Sequence, residues 1–265
     1  MERNVGAKLE LEVTEPSELV FSVAVAAGMP REREQLRVTL DGEPVDADEL
    51  ADEHGTRLHR VVTRPGALAL DYSATIVGQA EPATASAAEL VRYRRPSRYA
   101  ESDALVPTAA AEFAGITDPA ELLASVSSWV GTRLAYVSGS SLPTDGAMRT
   151  LLARQGVCRD FAHLTVALLR ARNVPARLVS VYAPGLDPMD FHAVAEAHID
   201  GAWYVVDATT LAPRRTLVRI ATGRDAADTA FLTTISGAIT LDTMVVTAVA
   251  DALPDDDVTE LVPLR

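Results

Sequence analysis

The sequence predicts an α+β protein in which an amino-terminal antiparallel β-sandwich is followed by a core of helices and strands. Between residues 8 and 77, apolar residues alternate with polar ones, and Gly or Pro separates the segments. From residue 118 to residue 172 the apolar residues instead recur at helical spacing, and after residue 176 the alternation returns. Two Asp-Gly pairs, Asp41-Gly42 and Asp200-Gly201, are typical of two-residue hairpin turns.

The sandwich is predicted from short strand-like segments separated by turn residues. These segments are 8–13, 19–26, 36–40, 59–63 and 68–77. Short strands with such turns are typical of small antiparallel sandwiches. Residues 79–89 are rich in Ala, Glu, Thr and Ser, which indicates a linker. We therefore predict a sandwich domain at residues 1–80 and a core domain at residues 81–265.

The core is predicted to begin with helices and to end with strands. Asp118-Pro119-Ala120-Glu121 has a capping residue, a proline at the first helical position and a glutamate at the third, which predicts a helix start. A second helix is predicted from near Thr144 to Gly156, and a third from Cys158 to Arg172. The predicted strands that follow are 176–182, 192–199, 202–207, 217–221 and 239–249, with a last short strand near 259–262.

Composition limits the class of protein. The chain has 24 Lys and Arg against 37 Asp and Glu, a net charge of −13, which argues against nucleic acid as a partner because phosphate contacts need clustered cations. A single cysteine excludes an intrachain disulfide. No apolar run reaches the roughly 20 residues of a membrane span, and no signal-peptide core follows Met1. We therefore expect a cytoplasmic protein without a membrane partner. The oligomeric state is not predicted.

The only cysteine, Cys158, follows the break at Gly156 and precedes the apolar run of the third predicted helix. A thiol in the first turn of a helix lies near unpaired backbone N–H groups and the positive end of the helix dipole. Both effects favour the thiolate, which is the nucleophilic form. A free cysteine is also commonly a small buried hydrophobe. By itself, Cys158 therefore fits either a nucleophile or a core residue.

The second hairpin predicts a base that can face the thiol. If Asp200-Gly201 forms a two-residue turn, Val194 lies opposite Asp207, and His192 is a diagonal neighbour of Asp207 on the same face. A carboxylate in this place can hydrogen-bond the imidazole and fix its tautomer. A register shift by an odd number of residues would separate the two groups. His198 shares the face but lies toward the turn, so we expect no catalytic role for it.

Together, Cys158, His192 and Asp207 supply the nucleophile, base and orienting carboxylate that acyl transfer requires. Two other polar residues near the thiol are predicted to be structural. Asp160 lies in the first helical turn, where a carboxylate caps the helix and is stabilised by its dipole. His163 lies more than one turn beyond Cys158 and is expected to point away from the reacting face.

These motifs resemble the transglutaminase-like superfamily, in its bacterial cysteine peptidase branch. The resemblance is carried by Gly156-Val157-Cys158-Arg159-Asp160-Phe161-Ala162-His163-Leu164, His192-Ala193-Val194-Ala195-Glu196 and Trp203-Tyr204-Val205-Val206-Asp207-Ala208-Thr209, and more weakly by 95–99, 223–228 and the amino-terminal sandwich. It implies a papain-like core in which a helix bearing the cysteine packs on an antiparallel sheet. Many relatives have Trp two positions after the histidine, where this chain has Val194, which predicts a pocket that is more open or is shaped for another substrate.

The resemblance also implies a function. Cys158 is then the nucleophile, His192 the general base and acid, and Asp207 the orienting residue of a protease or amidase. The expected partner is a peptide, protein or small amide substrate, with no cofactor and no metal. Tyr136 is predicted to end the helical segment before the active-site loop and to offer its hydroxyl to an oxyanion or to the substrate. Transfer to an amine, as in a transglutaminase proper, and a non-catalytic protein-binding module are the alternatives.

Overall fold

The amino-terminal region forms antiparallel strands, as predicted. The computed structural model describes residues 1–265. The strands are β1 (Glu2–Val13), β2 (Ser17–Phe21), β3 (Arg31–Leu40), β4 (Glu43–Pro44), β5 (Asp48–Ala51), β6 (Arg57–Thr63) and β7 (Gly66–Val77). β2 is shorter than the predicted segment 19–26. Residues 22–26, which follow it, are all buried without forming a strand, and their apolar members pack into the core of the sandwich.

The rest of the chain alternates between helices and strands. In order it contains α1 (Ala87–Arg92), α2 (Val106–Glu112), α3 (Pro119–Arg133), β8 (Ala135–Tyr136), α4 (Ala147–Ala153), β9 (Gln155–Gly156), α5 (Cys158–Ala171), β10 (Ala176–Tyr182), β11 (Phe191–Ile199), β12 (Ala202–Val206), β13 (Val218–Gly223), α6 (Ala226–Thr229), β14 (Leu232–Ser236) and β15 (Ile239–Ala250). No helix has both the length and the apolar character needed to cross a membrane.

Two strands near the carboxyl end complete the amino-terminal sandwich. β15 pairs with β1 along almost its whole length, and β14 pairs with β2. The two sheets therefore have the orders β15-β1-β7-β3-β4 and β14-β2-β6-β5. The domain boundary at residue 80 stays a prediction. The predicted sandwich domain, residues 1–80, does not include β14 and β15. Alternation within a segment shows that it is a strand, but not which sheet it joins.

The core is built on a sheet with the order β12-β11-β10-β13, and α5 packs against it. Ala195 and Ala197 of β11 lie in one buried apolar cluster with Leu164 and Leu168 of α5. Small residues on this face of β11 let the helix approach the strand closely. The α+β fold predicted from the sequence, with the helix bearing the cysteine packed on an antiparallel sheet, is confirmed.

The other face of this sheet carries a buried ion cluster. Glu196 of β11 accepts hydrogen bonds from Arg177 of β10 (Nε to Oε2, 2.8 Å) and from Arg219 of β13 (Nη2 to Oε1, 2.6 Å). The Arg177 guanidinium also lies 3.9 Å from the centre of the Trp203 ring. Its Nη1 lies 3.5 Å from Nδ1 of His54, which belongs to the amino-terminal region. The cluster therefore connects the core sheet to the sandwich.

The predicted last strand near residues 259–262 is wrong. A backbone hydrogen bond joins the Val205 N–H to the Val262 carbonyl oxygen at 2.8 Å, but no ladder continues from it. Val262 and Leu264 are nevertheless buried. This segment therefore covers the outer edge of β12 through side-chain burial, which gives it an apolar pattern similar to that of a strand.

Replacing Glu196 with alanine is expected to lower the free energy of unfolding by about 3 to 5 kcal/mol, because the Arg177 and Arg219 charges would stay buried without their carboxylate. Urea unfolding followed by fluorescence measures this change. The matched control is Glu49→Ala, which removes the half-exposed partner of Arg57 and should cost about 1 kcal/mol or less. Equal losses in the two variants would contradict the role given to Glu196.

Candidate active site

Cys158 is the first residue of α5, and the local backbone holds it there. The Asp160 carboxylate accepts a hydrogen bond from the Val157 N–H (2.8 Å) and one from the Ser141 hydroxyl (3.0 Å). A Cβ atom on Gly156 would lie 2.6 Å from Cβ of Asp160, so only glycine leaves room for this cap. Asp160 is buried and is bound to the helix start. It therefore fixes the first turn of α5, and with it the position of the thiol.

His192 and Asp207 are in contact. Asp200 and Gly201 have φ angles of 49° and 84°, as a type I′ hairpin turn requires. The pairs observed between β11 and β12 are those expected from a two-residue turn. Nε2 of His192 lies 2.8 Å from Oδ2 of Asp207, and both side chains are buried. The hairpin register thus brings together an imidazole and a carboxylate that are 15 residues apart in the sequence.

Thr209 orients the Asp207 carboxylate, a role that was not predicted from the sequence. Oδ1 of Asp207 accepts hydrogen bonds from the Thr209 N–H (2.9 Å) and from its hydroxyl (2.7 Å). Burial alone raises the pKa of Asp207, but His192 and Thr209 outweigh it and hold the pKa below its ordinary value. The sequence does contain an indication of this contact, because an aspartate in a turn commonly accepts a hydrogen bond from the backbone N–H two residues later.

The ionic state of His192 depends on its neighbours. Burial alone lowers its pKa, but the Asp207 carboxylate and the Cys158 sulfur raise the pKa to about 10. Its second ring nitrogen, Nδ1, is buried and has no hydrogen-bond partner. Cys158 and His192 line the same cleft. The ring is therefore held through Nε2, while Nδ1 is available to exchange a proton.

Tyr136 lies beside the thiol, in β8 rather than at the end of the preceding helix. The Val137 N–H donates to the Gly156 carbonyl oxygen at 3.0 Å, which ties β8 to the segment just before Cys158. The Tyr136 ring packs against the Phe161 ring, with 5.9 Å between the centroids. Burial, together with the Cys158 sulfur, raises the pKa of Tyr136 to about 12, although the nearby Cys158 N–H opposes this rise. The hydroxyl therefore keeps its proton at neutral pH.

A cleft of about 590 Å³ surrounds the thiol and the imidazole. Its walls come from both parts of the molecule. Leu178 and Phe191 belong to the core sheet, whereas Ser22, Thr233 and Met244 belong to the sandwich. Most of the wall is apolar. The cleft therefore suits a ligand that buries apolar groups beside the thiol.

Two charged side chains of opposite sign also line the cleft. Oδ1 of Asp190 accepts the Phe191 N–H at 2.7 Å. Burial raises the pKa of Asp190 above its ordinary value. The Phe191 N–H and the charge on His192 act in the opposite direction, but their effects are smaller. Arg159 donates to the Ser141 hydroxyl (2.7 Å) and to the Leu142 carbonyl oxygen. Neither side chain forms a salt bridge within the chain, so both can interact with a bound ligand.

Three residues noted in the sequence lie away from the cleft. His163 is fully buried; its Nε2 accepts the Ala226 N–H at 3.1 Å, and burial lowers its pKa to about 3. The His198 ring packs against the Trp203 ring, with 5.1 Å between the centroids. The expectation of a more open pocket at Val194 is wrong, because Val194 is buried in an apolar cluster of the sheet and does not line the cleft. No group of three or more His, Cys, Asp or Glu could hold a metal ion.

Comparison with known proteins gives the family. A model of the transglutaminase-like superfamily matches residues 107–208. The chain is also 33% identical to a "Putative Cysteine Protease" of known crystal structure from Cytophaga hutchinsonii, over 100% of this chain and 93% of that one, with a TM-score of 0.86. The chain therefore belongs to the transglutaminase-like superfamily, as its motifs predicted.

Two curated mycobacterial relatives match shorter parts of the chain. An uncharacterised protein of Mycobacterium leprae is 28% identical over 162 residues, which are 57% of this chain and 58% of that protein. An uncharacterised protein of Mycobacterium tuberculosis is 40% identical over 93 residues, which are 33% of this chain and 30% of that protein. The match thus spans less than two thirds of the length of either relative.

The pair of His192 and Asp207 leads to a prediction about pH. Replacing Asp207 with asparagine should lower the pKa of His192 from about 10 by about 1 to 3 pH units, because the opposing charge is lost. A histidine pKa that is higher in the folded state than in the unfolded state also stabilises the fold. This stabilisation is fully present at pH values below the ordinary histidine pKa near 6.5, and it is lost once the pH has risen through about 10.

NMR titration of isotopically labelled histidines measures this pKa directly. His198, which packs on Trp203 outside the cleft, is the internal control and should titrate alike in the wild type and the variant. If His192 kept its pKa in Asp207→Asn, the carboxylate would not be the group that holds the imidazole charged.

Proposed function

We propose that the protein is an acyl-transfer enzyme that hydrolyses peptide or amide bonds with Cys158 as nucleophile, His192 as base and acid, and Asp207 as orienting residue. The observation that carries the proposal is the 2.8 Å contact between His192 and Asp207, in a cleft that also contains a thiol at a helix start. Membership of the transglutaminase-like superfamily and similarity to the Cytophaga protein support it.

The proposed reaction begins with the thiolate of Cys158. Its sulfur attacks the carbonyl carbon of the amide, the C–S bond forms and the carbonyl oxygen becomes an oxyanion. His192 gives its Nδ1 proton to the leaving nitrogen, the C–N bond breaks and an acyl-enzyme remains. Water then attacks the acyl carbon while His192 takes a proton from it. The acid is released and the thiolate is restored.

The oxyanion needs hydrogen-bond donors in place before the reaction. The backbone N–H of Cys158 lies at the start of α5, where no helical carbonyl takes it up. In the structure this N–H lies close enough to the Tyr136 hydroxyl to lower its pKa. We propose that the N–H donates to the substrate carbonyl oxygen. The protonated hydroxyl of Tyr136 is then the second donor to the oxyanion.

A second candidate function is transfer of the acyl group to a primary amine. One observation favours it, because Asp190, which forms no salt bridge, places a carboxylate in the cleft near His192. An ammonium group can pair with this carboxylate before it loses a proton and attacks the acyl-enzyme. Incubating an acyl substrate with and without cadaverine, and separating the products by mass spectrometry, distinguishes the two functions. A product that forms only with the amine would overturn hydrolysis as the main reaction.

Cys158 is the first residue to test. Cys158→Ala should lower kcat/KM for a peptide amide by at least about 1,000-fold, because loss of a nucleophile leaves only binding and the oxyanion donors. The control is His198→Gln, which lies outside the cleft and should retain turnover within about twofold. In the wild type, iodoacetamide near neutral pH should alkylate Cys158 faster than it alkylates free cysteine. A thiol that reacts at the rate of free cysteine would argue against the nucleophile.

Tyr136→Phe tests the proposed second donor. The variant should lower kcat by about 100-fold with little change in KM, because an oxyanion donor acts in the transition state rather than in substrate binding. Tyr204→Phe, on β12 and away from the cleft, is the matched control and should keep wild-type kcat. A rise in KM at constant kcat would mean that Tyr136 binds substrate and does not stabilise the oxyanion.

A further inference from the structure

The open edge of β14 borders the active-site cleft. β14 is the end strand of its sheet and pairs only with β2. Leu232 and Thr233 line the cleft that contains Cys158, and the strand is exposed from Thr233 to Ser236. An uncovered strand edge readily accepts a further strand. Here that edge lies beside the thiol.

The backbone groups of β14 that face away from β2 can be identified from its ladder. The Ser22 N–H donates to the Phe231 carbonyl oxygen at 2.9 Å, in the same register as the pairs of β14 with β2. Hydrogen-bonded and non-hydrogen-bonded pairs alternate in an antiparallel ladder. The N–H and C=O of Thr233 therefore point toward β2, and those of Leu232 and Thr234 point away. No hydrogen bond within the chain occupies these outward groups.

A second groove adjoins the cleft and lies over one face of this sheet, where Val20 of β2 and Leu58 of β6 also line it. That groove has a volume of about 570 Å³ and lies between the sandwich and the core. Ala227, Ala230 and Thr233 line both the groove and the active-site cleft. Ile235, a large exposed apolar residue of β14, lines the groove as well. A segment laid beside β14 would run along the wall of the cleft over several residues, which a small amide is too short to do.

We propose that the substrate is an extended polypeptide segment that adds to the sheet beside β14 and so presents an amide bond to Cys158. Its backbone bonds to the outward N–H and C=O groups of Leu232 and Thr234, which gives affinity without dependence on sequence, and the apolar cleft selects a side chain. The proposal rests on the proposed function and narrows its substrate class to unfolded or looped polypeptide.

Thr234→Pro is the sharpest variant to test this proposal. Proline removes the outward N–H of residue 234 but no hydrogen bond to β2, and an edge strand tolerates it there. Thr234→Val keeps the N–H and removes only the hydroxyl, so it is the matched control. On the best substrate from a library of octapeptide amides, Thr234→Pro should lower kcat/KM by about 5- to 10-fold, the value of one hydrogen bond. Thr234→Val should stay within about twofold of the wild type.

A small ester separates failure of this proposal from failure of the proposed function. p-Nitrophenyl acetate can acylate the thiol without reaching β14, so the wild type and both variants should hydrolyse it equally. If Thr234→Pro cleaved the octapeptide as fast as Thr234→Val, strand addition would be overturned and the proposed function would stand. If even the wild type failed to hydrolyse both the ester and the peptides, the proposed function itself would be overturned.

Backbone methylation of the substrate tests the same contact without changing the protein. Each N–H of the octapeptide is methylated in turn, and kcat/KM is measured with the wild-type enzyme. Strand addition predicts losses at alternate positions, because every second N–H of a strand faces its neighbour. Equal losses at all positions, or losses only next to the cleaved bond, would contradict it. This scan also decides the question if Thr234→Pro does not fold.

Discussion

The register of β11 with its neighbouring strands is the constraint on which both the candidate site and the buried ion cluster depend. His192 and Glu196 point to the same face of β11, because an even number of residues separates them. His192 reaches Asp207 beyond β12, and Glu196 binds Arg177 and Arg219 on β10 and β13. A slip of one residue would turn both side chains to the opposite side of the strand, away from Asp207 and from the two arginines. The buried ion cluster and the active-site contact therefore require the same pairing.

The sandwich has a direct part in the site. Its sheets are completed by β14 and β15, which follow the core strands in the chain, and residues of both strands line the cleft. The chain therefore leaves the core, returns to the sandwich and places its last strands beside Cys158. In this arrangement the sandwich contributes to the walls of the cleft, whereas Cys158, His192 and Asp207 all come from the core.

The main features of the candidate site could be predicted because each depends on a short-range rule. Glycine before a helical run marks the place where Cys158 begins α5, and an Asp-Gly turn sets the parity that joins His192 to Asp207. The prediction about Val194 is wrong for a physical reason. Neighbouring residues of a strand face opposite sides, but the sequence does not show which side is filled by other apolar groups. In the structure such a cluster covers Val194.

By itself, the sequence determined the α+β class, the helix that presents Cys158 and the contact of His192 with Asp207, because periodicity, caps and turns act over a few residues. Only the tertiary structure decided that β14 and β15 join the sandwich, that Arg177 and Arg219 share the Glu196 carboxylate, and that an open strand edge lies beside the thiol. These contacts join residues far apart in the chain, and their partners are selected by packing and burial rather than by any local pattern.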